Sequence, residues 1–401
     1  MEHEATARPA VRLTPKTSAK AIRFGAPWAW SDQIVLDRRT RAVPAGSIVV
    51  IQDAERQPLG TAAFNPGSKI AARVLDRDPA ASIDVEWFRA RIARALSLRE
   101  TLFDAPYYRL IHAEADGMPG VIVDRFGDAA VIQPNAAWIE TRLDDFAKAL
   151  ADVTGVTAIV KNGSGRARAL EGLTEETLLL TGTLDGPVPV PMNGATYMAD
   201  LIGGQKTGLF FDQRPNHAFA ARLARARDVL DVFCHVGGFG LAALANGATS
   251  ALGIDGSQPA LDLAEQGAKA SGVADRFEPR KADAFDALAE LATRDRRFGV
   301  VVCDPPAFAP NRKALDAGLR AYERVARLGT ALVEPGGFLV LCSCSHAVDP
   351  APFREACLRG VGRAGRSAQI VGTGGAGPDH PVHPYLAETS YLKTVFLRLD
   401  G

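Results

Sequence analysis

The 401-residue chain contains few residues of several kinds, and each scarcity excludes a class of protein. The cysteines are odd in number and show no CxxC or Cys/His ligand spacing, which argues against a disulfide framework or a zinc site and favours reduced thiols. They are Cys234, Cys303, Cys342, Cys344 and Cys357. No stretch approaches the roughly 18 consecutive apolar residues of a spanning helix. The first twenty residues lack the apolar core of a signal peptide, so we expect a cytoplasmic protein without membrane association.

A net charge is also missing, because 46 basic residues balance 46 acidic ones. The distribution is uneven, since residues 1–82 carry 12 Lys and Arg against 8 Asp and Glu. This excess of basic residues favours a surface that binds phosphate groups. Lys20 and Arg23 precede Trp28 and Trp30, and basic residues beside aromatic rings bind phosphates and stack bases. We therefore expect Lys20, Arg23 and Trp28 to bind nucleic acid; the alternative is that the tryptophans fill the core of a small domain.

The pattern of apolar residues divides the chain into three parts. Residues 1–82 contain short β-branched runs bounded by turn residues, which predict a small β-barrel. These runs are Gly46–Asp53, Pro58–Asn65 and Lys69–Asp76. Residues 83–190 alternate helical and strand patterns and predict a small α+β domain. Residues 191–401 alternate strands with helices, which predicts an α/β fold with a Rossmann-like, doubly wound parallel sheet.

The unusual residues of the third part collect where its predicted strands end. Gly237 and Gly238 follow the first strand, Asp231 lies within it, and Asp255 and Asp283 close the next two. Such an edge binds nucleotides, with the glycines allowing close approach and a carboxylate accepting from ribose hydroxyls. A NAD site is one interpretation. Three acidic residues suit a cationic sulfonium better than a pyrophosphate, which favours S-adenosylmethionine bound by all five residues.

Two further motifs lie at the same edge. In Asp304-Pro305-Pro306, proline restricts the preceding residue to an extended conformation, so a rigid carboxylate can bind the polar edge of a planar base. Cys342 and Cys344 are two residues apart at the end of a predicted strand and would share a face if the strand continues. Spacing alone does not decide which thiol is reactive.

These motifs together carry a family resemblance. The segments "GGQKTGLFFDQRPNH", "LDVFCHVGGFG", "VCDPPAF", "LCSCSH" and "YLKTVFLRL" resemble the bacterial 23S ribosomal RNA cytosine-5 methyltransferases of the class I, S-adenosylmethionine-dependent type. The middle segment "RLIHAEADGMPGVIVDRFGD" is also similar. The N-terminal "GAPWAW" and "PLGTAAFNPGSKIAARVL" resemble the PUA RNA-binding module of that family. The resemblance covers nearly the whole chain in the same domain order.

The resemblance implies a PUA-like domain over 1–82, a linking α+β domain over 83–190 and a methyltransferase domain over 191–401. By position, Cys344 matches the nucleophile that adds to carbon 6 of cytosine, which makes carbon 5 able to attack the sulfonium methyl group. Asp304 matches the residue that polarises the base. In "GGQKTGLFFDQRPNH", Gln213 is expected to bind the cofactor, and Lys206 and Arg214 the ribosomal RNA.

Three alternatives stay open at this point. A methyltransferase acting on a base nitrogen needs Asp304-Pro305-Pro306 but no cysteine, so Cys344 discriminates. A non-catalytic PUA-type RNA-binding protein and a NAD enzyme are the other two. The modified nucleotide and the oligomeric state, including a homodimer, are not given by the sequence.

Overall fold

A computed structural model of the chain describes residues 8–204 and 208–400. These residues form two compact units. The N-terminal unit comprises residues 8–185 together with 381–386, and the C-terminal unit comprises residues 186–204, 208–380 and 387–400. Among the helices of the described part, none is long and apolar enough to cross a membrane.

The N-terminal unit begins with a five-stranded sheet in the order β1-β3-β4-β5-β2. Its strands and the two short helices between them are β1 (Ala10–Arg12), α1 (Lys20–Arg23), β2 (Trp28–Ala29), α2 (Arg38–Arg41), β3 (Ser47–Gln52), β4 (Pro58–Phe64) and β5 (Ala72–Asp76). The alternation of β3 places Val49 and Ile51 on the buried face. The three strands predicted from the sequence are present, each shortened at one or both ends.

The rest of this unit is a second five-stranded sheet, ordered β10-β9-β8-β7-β6, with helices packed on it. Its elements are α3 (Val85–Leu102), β6 (Tyr107–His112), β7 (Val121–Phe126), β8 (Ala129–Pro134), α4 (Ala137–Glu140), α5 (Leu143–Thr154), β9 (Ala158–Asn162), α6 (Arg166–Leu170) and β10 (Thr177–Thr181). The predicted helix after residue 84 forms as α3, which Asp84 caps by accepting from the Trp87 N–H at 3.0 Å. The helical pattern that follows β8 forms two helices, α4 and α5.

The two sheets of the N-terminal unit share a core. Ala63 and Leu75 from the first sheet pack in one cluster with Phe88 and Trp138 from the second layer. Buried Glu171 accepts from Asn65 and Ser68 at 3.0 and 2.7 Å. The segments 1–82 and 83–190, expected as two domains, therefore pack as one compact unit whose boundary lies at residue 185.

The C-terminal unit contains a seven-stranded sheet in the order β15-β14-β13-β16-β17-β19-β18, preceded by a two-stranded hairpin. The strands are β11 (Val188–Met192), β12 (Ala195–Ala199), β13 (Asp228–Val232), β14 (Ser250–Asp255), β15 (Phe277–Lys281), β16 (Phe298–Cys303), β17 (Val333–Ser343), β18 (Ala368–Gly374) and β19 (Lys393–Leu399). The helices are α7 (Arg214–Leu223), α8 (Gly238–Ala245), α9 (Gln258–Ala270), α10 (Ala284–Thr293), α11 (Leu315–Ala331) and α12 (Pro350–Arg363).

Strands β13 to β17 run parallel, and among the described strands of this sheet β19 alone runs in the opposite direction. The central strands β13, β14 and β16 are mostly buried because helices cover both faces of the sheet, and β16 is buried throughout its length. Their carboxyl ends meet at one edge, and the order reverses between β13 and β16, which is where ligands bind in such sheets. The Rossmann-like fold predicted from the sequence is confirmed, and Asp255, Asp283, Asp304 and Cys344 lie at the carboxyl ends of its strands.

A buried ion pair gives a stability test for the N-terminal unit. Arg99 is fully buried, and its guanidinium binds both carboxylate oxygens of Asp116 at 2.6 and 2.8 Å. The variant Asp116→Ala leaves that charge without its carboxylate, so we expect a loss of about 3–5 kcal/mol in the free energy of unfolding. Tryptophan fluorescence during denaturant unfolding measures it, because Trp28, Trp30 and the other two tryptophans all lie in residues 8–185.

The matched control is Glu86→Ala, which removes a largely exposed carboxylate that pairs with Arg89. Exposed pairs contribute about 0–1 kcal/mol, so this variant should unfold close to the wild type. Equal unfolding midpoints for Asp116→Ala and Glu86→Ala would contradict the structural role of the buried pair.

Candidate active site

The loop after β13 has a constrained backbone. Phe233 and His235 adopt positive φ values of 64° and 50°, and Gly237 follows at 82°. A Cβ at Gly237 would approach the Cγ of Leu241 to 2.9 Å, so glycine is required there for both conformation and space. Left-handed non-glycine residues are costly and cluster at functional sites. The loop therefore has the backbone of a ligand-binding turn at the start of α8.

Asp231 is fully buried beneath this loop. Its Oδ2 accepts from the Gly240 N–H at 2.8 Å, at the first turn of α8. Burial raises the pKa of the carboxyl to about 7, and the nearby Asp255 acts in the same direction. Its Oδ1 is buried and has no hydrogen-bond partner among the described residues. Because an unpaired buried carboxylate oxygen is costly, this oxygen fits a ligand that brings a positive charge or a donor.

Asp255 ends β14 and is oriented by two backbone amides. Its Oδ2 accepts from the His235 N–H at 2.9 Å and its Oδ1 from the Ser257 N–H at 2.8 Å. Each oxygen retains a second lone pair, so the carboxylate can accept from two vicinal hydroxyls. Asp283 is exposed and caps α10, where its Oδ1 accepts from the N–H groups of Phe285 and Asp286 at 2.9 and 3.1 Å. Its other oxygen is left for a ligand such as an adenine amine.

Gly238 needs a different explanation from the one that the sequence suggested. A Cβ there would lie 2.8 Å from two ring atoms of buried His217, and the Tyr197 hydroxyl donates to the Gly238 carbonyl at 3.0 Å. Burial lowers the pKa of His217 to about 3, so its ring is neutral. The missing side chain at Gly238 thus makes room for His217, whereas Gly237 shapes the loop.

Asp304, directly after β16, is held by a hydrogen-bond chain. The Gln213 amide donates from Nε2 to Asp304 Oδ2 at 2.8 Å, and Gln213 Oε1 accepts from Asn216 Nδ2 at 2.6 Å. Asn216 also donates to the Gly375 carbonyl at 3.1 Å. Gln213 and Asn216 are both buried. Gln213, expected to bind the cofactor, therefore orients the carboxylate of Asp304; the sequence analysis missed Asn216, although it lies in the quoted segment "GGQKTGLFFDQRPNH".

The two neighbouring cysteines differ in environment. Strand β17 ends at Ser343, so Cys342 lies within it at 1% exposure while Cys344 is the first residue beyond it and is half-buried. Burial raises the pKa of Cys342 well above its ordinary value, and burial likewise raises the pKa of Cys303. Buried thiols of this kind are inert. Cys344 is thus the cysteine at this edge with access to a ligand.

The serines on either side of Cys344 hold the backbone of this segment in place. Ser343 donates to the Tyr322 hydroxyl at 2.8 Å, and that hydroxyl lies 2.7 Å from Ser345 Oγ. Ser345 Oγ also accepts from the Ala309 N–H at 3.0 Å, in the loop that follows Asp304. Both serines are fully buried. The network therefore ties the backbone on either side of Cys344 to α11 and to the loop that follows Asp304.

The residues predicted to bind RNA lie in several places. Lys20 is exposed, with its Nζ 5.9 Å from the ring centroid of Phe24, and half-exposed Arg23 pairs with Asp53 at 2.6 Å. Trp28 is half-buried and its indole N–H donates to Glu114 at 2.9 Å. The neighbouring Trp30 has the more exposed ring, at 41%. Of the two tryptophans, Trp30 is the one available for stacking, which sequence proximity alone did not distinguish.

Two of the residues predicted to bind RNA, Lys206 and Arg214, lie in the segment "GGQKTGLFFDQRPNH". Lys206 lies outside the described residues. Arg214 begins α7, with its guanidinium carbon 5.5 Å from the Phe211 ring centroid. Burial lowers its pKa, and the carboxylate of Asp379 opposes that shift. Arg214 is therefore a partly buried residue of the C-terminal unit.

The N-terminal unit also contains an open cleft of about 970 Å³ beside α1 and α3. Its walls include Ile22, Leu98 and the exposed Arg77 and Arg94. The acidic residues of the cleft are engaged within the unit: Asp76 with Arg91, Asp116 with Arg99, and Glu114 with Arg73. No ion pair forms at Arg77 or Arg94 among the described residues, so these two guanidinium groups present positive charge beside the apolar walls of the cleft. Neither arginine belongs to a motif that the sequence singles out as a binding site.

Comparison with known proteins identifies both functional parts. A family described as a PUA-like domain matches residues 11–77, and one described as an S-adenosylmethionine-dependent methyltransferase matches residues 166–390. The ribosomal RNA large subunit methyltransferase I of Photobacterium profundum is 34% identical over 385 residues, covering 94% of this chain and 96% of that one. The protein of the same name from Vibrio cholerae is 34% identical over 395 residues, covering 96% and 98%.

Solved structures agree on the fold. A Streptococcus mutans protein described as an S-adenosylmethionine-dependent methyltransferase superposes with a TM-score of 0.80 at 18% identity, covering 97% of this chain and all of that one. A related structure that contains S-adenosylhomocysteine gives a TM-score of 0.81 over 97% and 99%. The family match over residues 166–390 confirms the predicted cofactor class, S-adenosylmethionine, and the NAD interpretation is set aside.

The geometry of Asp255 gives a test of cofactor binding. Asp255→Ala removes an acceptor for ribose hydroxyls, and loss of a hydrogen bond to a charged group costs roughly 1.5–3 kcal/mol, so we expect S-adenosylmethionine affinity to fall about tenfold or more. Isothermal titration calorimetry measures the affinity. The control Asp262→Ala removes an exposed carboxylate on α9 and should bind as the wild type does. Unchanged affinity in Asp255→Ala, or tight NAD binding by the wild type, would contradict this assignment.

The contact between Gln213 and Asp304 gives a second test, which separates two roles for Gln213. If Gln213 orients Asp304, Gln213→Ala should lower kcat about tenfold or more, because a hydrogen bond to a carboxylate is lost, while S-adenosylmethionine affinity changes less than about twofold. Steady-state methylation and calorimetry provide the two values. Gln258→Ala, which alters an exposed contact to Asp262, is the control. A large loss of cofactor affinity with unchanged kcat would instead place Gln213 at the cofactor.

Proposed function

Because the chain belongs to the ribosomal RNA large subunit methyltransferase I family of S-adenosylmethionine-dependent methyltransferases, we propose that it methylates carbon 5 of a cytosine in 23S ribosomal RNA, in the cytoplasm. Relatives at 34% identity along nearly the whole chain support the ribosomal RNA substrate. The choice of carbon 5 rests on Cys344, which a nitrogen methyltransferase would not need.

The roles of the site residues follow from the chemistry of the base. Carbon 5 of cytosine is a weak nucleophile, so the Cys344 thiolate adds to carbon 6 and makes carbon 5 electron-rich. Asp304, held by Gln213, binds the polar edge of the ring and stabilises the charge that develops there. S-adenosylmethionine supplies the electrophilic methyl group. After transfer, loss of the carbon 5 proton allows Cys344 to leave carbon 6.

The single observation that supports this assignment best is the difference between the cysteines. Cys303 and Cys342 are buried, with thiol pKa values raised by burial, whereas Cys344 is half-buried just beyond the end of β17. The Ser343–Tyr322–Ser345 network holds it in place. Addition to a base requires a thiol that the base can reach and that lies on a segment held in place.

The cofactor-binding residues have complementary roles in this proposal. The unpartnered Oδ1 of Asp231 suits the positive end of S-adenosylmethionine, Asp255 suits the ribose hydroxyls, and Asp283 suits the adenine. Gly237 allows the loop to approach the cofactor closely. Gly238 contributes through the packing of His217.

The N-terminal unit supplies the RNA affinity in this proposal. The cleft with Arg77 and Arg94 offers positive charge beside apolar surface, which suits a single-stranded segment. Lys20 and Trp30 add an exposed charge and an exposed ring in the same unit, and Arg23 remains more than half exposed. Lys206 and Arg214 are proposed as RNA contacts of the methyltransferase domain.

The nucleophile is tested with two cysteine variants. Cys344→Ala should abolish methylation and leave S-adenosylmethionine affinity unchanged, whereas Cys342→Ala should keep most activity and lose some stability, because only Cys344 reaches the base. With RNA that carries 5-fluorocytidine at the target, the wild type should form a covalent adduct, since fluorine cannot leave as the proton does. Denaturing electrophoresis detects the adduct across the three proteins.

Each outcome has one interpretation. An adduct that persists in Cys344→Ala, or that vanishes only in Cys342→Ala, would transfer the nucleophile to another residue. Robust methylation by Cys344→Ala would favour methylation of a base nitrogen. If the wild type methylates no ribosomal RNA, the result would favour the alternative of a non-catalytic RNA-binding protein.

A further inference from the structure

Lys393 is a buried cation that the proposed chemistry does not yet use. It begins β19, where it lies opposite Ser343, the last residue of β17, and it is 7% exposed. Its Nζ donates to the carbonyl oxygens of Ser345 and Val348 at 2.7 and 2.8 Å. A buried ammonium is costly unless it is hydrogen-bonded, so these two hydrogen bonds hold the ammonium against the loop that follows Cys344.

The loop after Cys344 is held from two sides. After β17 ends, residues 344–349 turn toward α12, and the two carbonyls that bind Nζ are three residues apart in that turn. On the opposite side, Ser345 is held by Tyr322 and by the Ala309 N–H. Cys344 therefore lies between two fixed points, the hydroxyl network of Tyr322 and the ammonium of Lys393.

The charges around Lys393 favour an interaction with the thiol. Among the described residues, the ionisable groups that act on it are Cys344 in the loop and Asp349 at the start of α12, and both favour its protonated form. Tyr322 on α11 faces Cys344 from the other side. Burial lowers the pKa of Lys393 to about 8, so the ammonium is still mostly charged at neutral pH.

We propose that Lys393 is a positioning residue for the nucleophile, which fixes the loop after Cys344 through two carbonyl contacts and keeps a positive charge beside the thiol. A neighbouring cation favours the thiolate, which is the form that attacks. The thiol proton passes to solvent, and the thiolate then forms its bond to carbon 6 of the base. The inference rests on the proposed function for its use in catalysis, but the effect on the thiol does not require RNA.

The test is the pH dependence of Cys344 alkylation by iodoacetamide in the full-length protein without RNA, followed by peptide mass spectrometry. In this reaction the thiolate sulfur displaces iodide. Lys393→Met substitutes an apolar side chain for the stem of the lysine and removes the charged amino group, so we expect the midpoint of the rate profile to rise by about one pH unit or more. Lys393→Arg, which restores the charge, should return the midpoint toward the wild-type value, and exposed Lys269→Met is the matched control.

A midpoint in Lys393→Met equal to that of Lys269→Met would overturn the proposal, even if methylation were reduced. S-adenosylmethionine affinity reports whether the variant is folded. If Lys393→Met does not fold, the wild type decides: a midpoint well below the ordinary thiol value of about 8.5 supports the proposal, and one at or above it overturns the proposal. Failure of the proposed function would show separately, as methylation by Cys344→Ala.

Discussion

The parallel pairing of β13 with β14 and β16 is the constraint on which the site depends. It brings the carboxyl ends of strands from distant parts of the chain to one edge, so that Asp231, Asp255 and Asp304 lie at neighbouring strand ends. The pairing is possible because apolar residues and covering helices bury both faces of the sheet. Without that burial, the strand ends would have no fixed positions relative to one another. The carboxylates would then not be arranged to bind a common ligand.

Burial then assigns different chemistry to residues of the same type at this edge. Cys303 and Cys342 stay neutral because they are enclosed, while the end of β17 places Cys344 where it has partial access. The carboxylates divide in the same way. Asp231 is fully buried and its pKa rises to about 7, whereas Asp255 is held by two backbone amides and keeps lone pairs for a ligand. Position relative to the strand end thus decides the role of each side chain.

Much of the fold could be predicted from the sequence, because periodicity and strand-end glycines are local signals. The long-range contacts could not. Gln213 and Asp304 are 91 residues apart, and Lys393 is 48 residues from Ser345. The hydrogen bond within each pair is therefore visible only in the folded chain. The sequence also does not distinguish Trp28, which donates to Glu114, from the more exposed Trp30, because that difference depends on a contact across 86 residues. Family motifs contained Gln213 and Lys393 without revealing what they contact.

The long-range contacts explain how this edge becomes a single catalytic site. Ser345 Oγ accepts from the Ala309 N–H, so the segment of the nucleophile and the loop of Asp304 hold each other in place. Asn216 extends this connection, since it holds Gln213 against Asp304 and also binds the Gly375 carbonyl. A displacement of reacting groups by about 1 Å can cost on the order of a hundredfold in rate. In the proposed mechanism, residues that never touch the base therefore control catalysis, because they set the separation between the Cys344 segment and the Asp304 carboxylate.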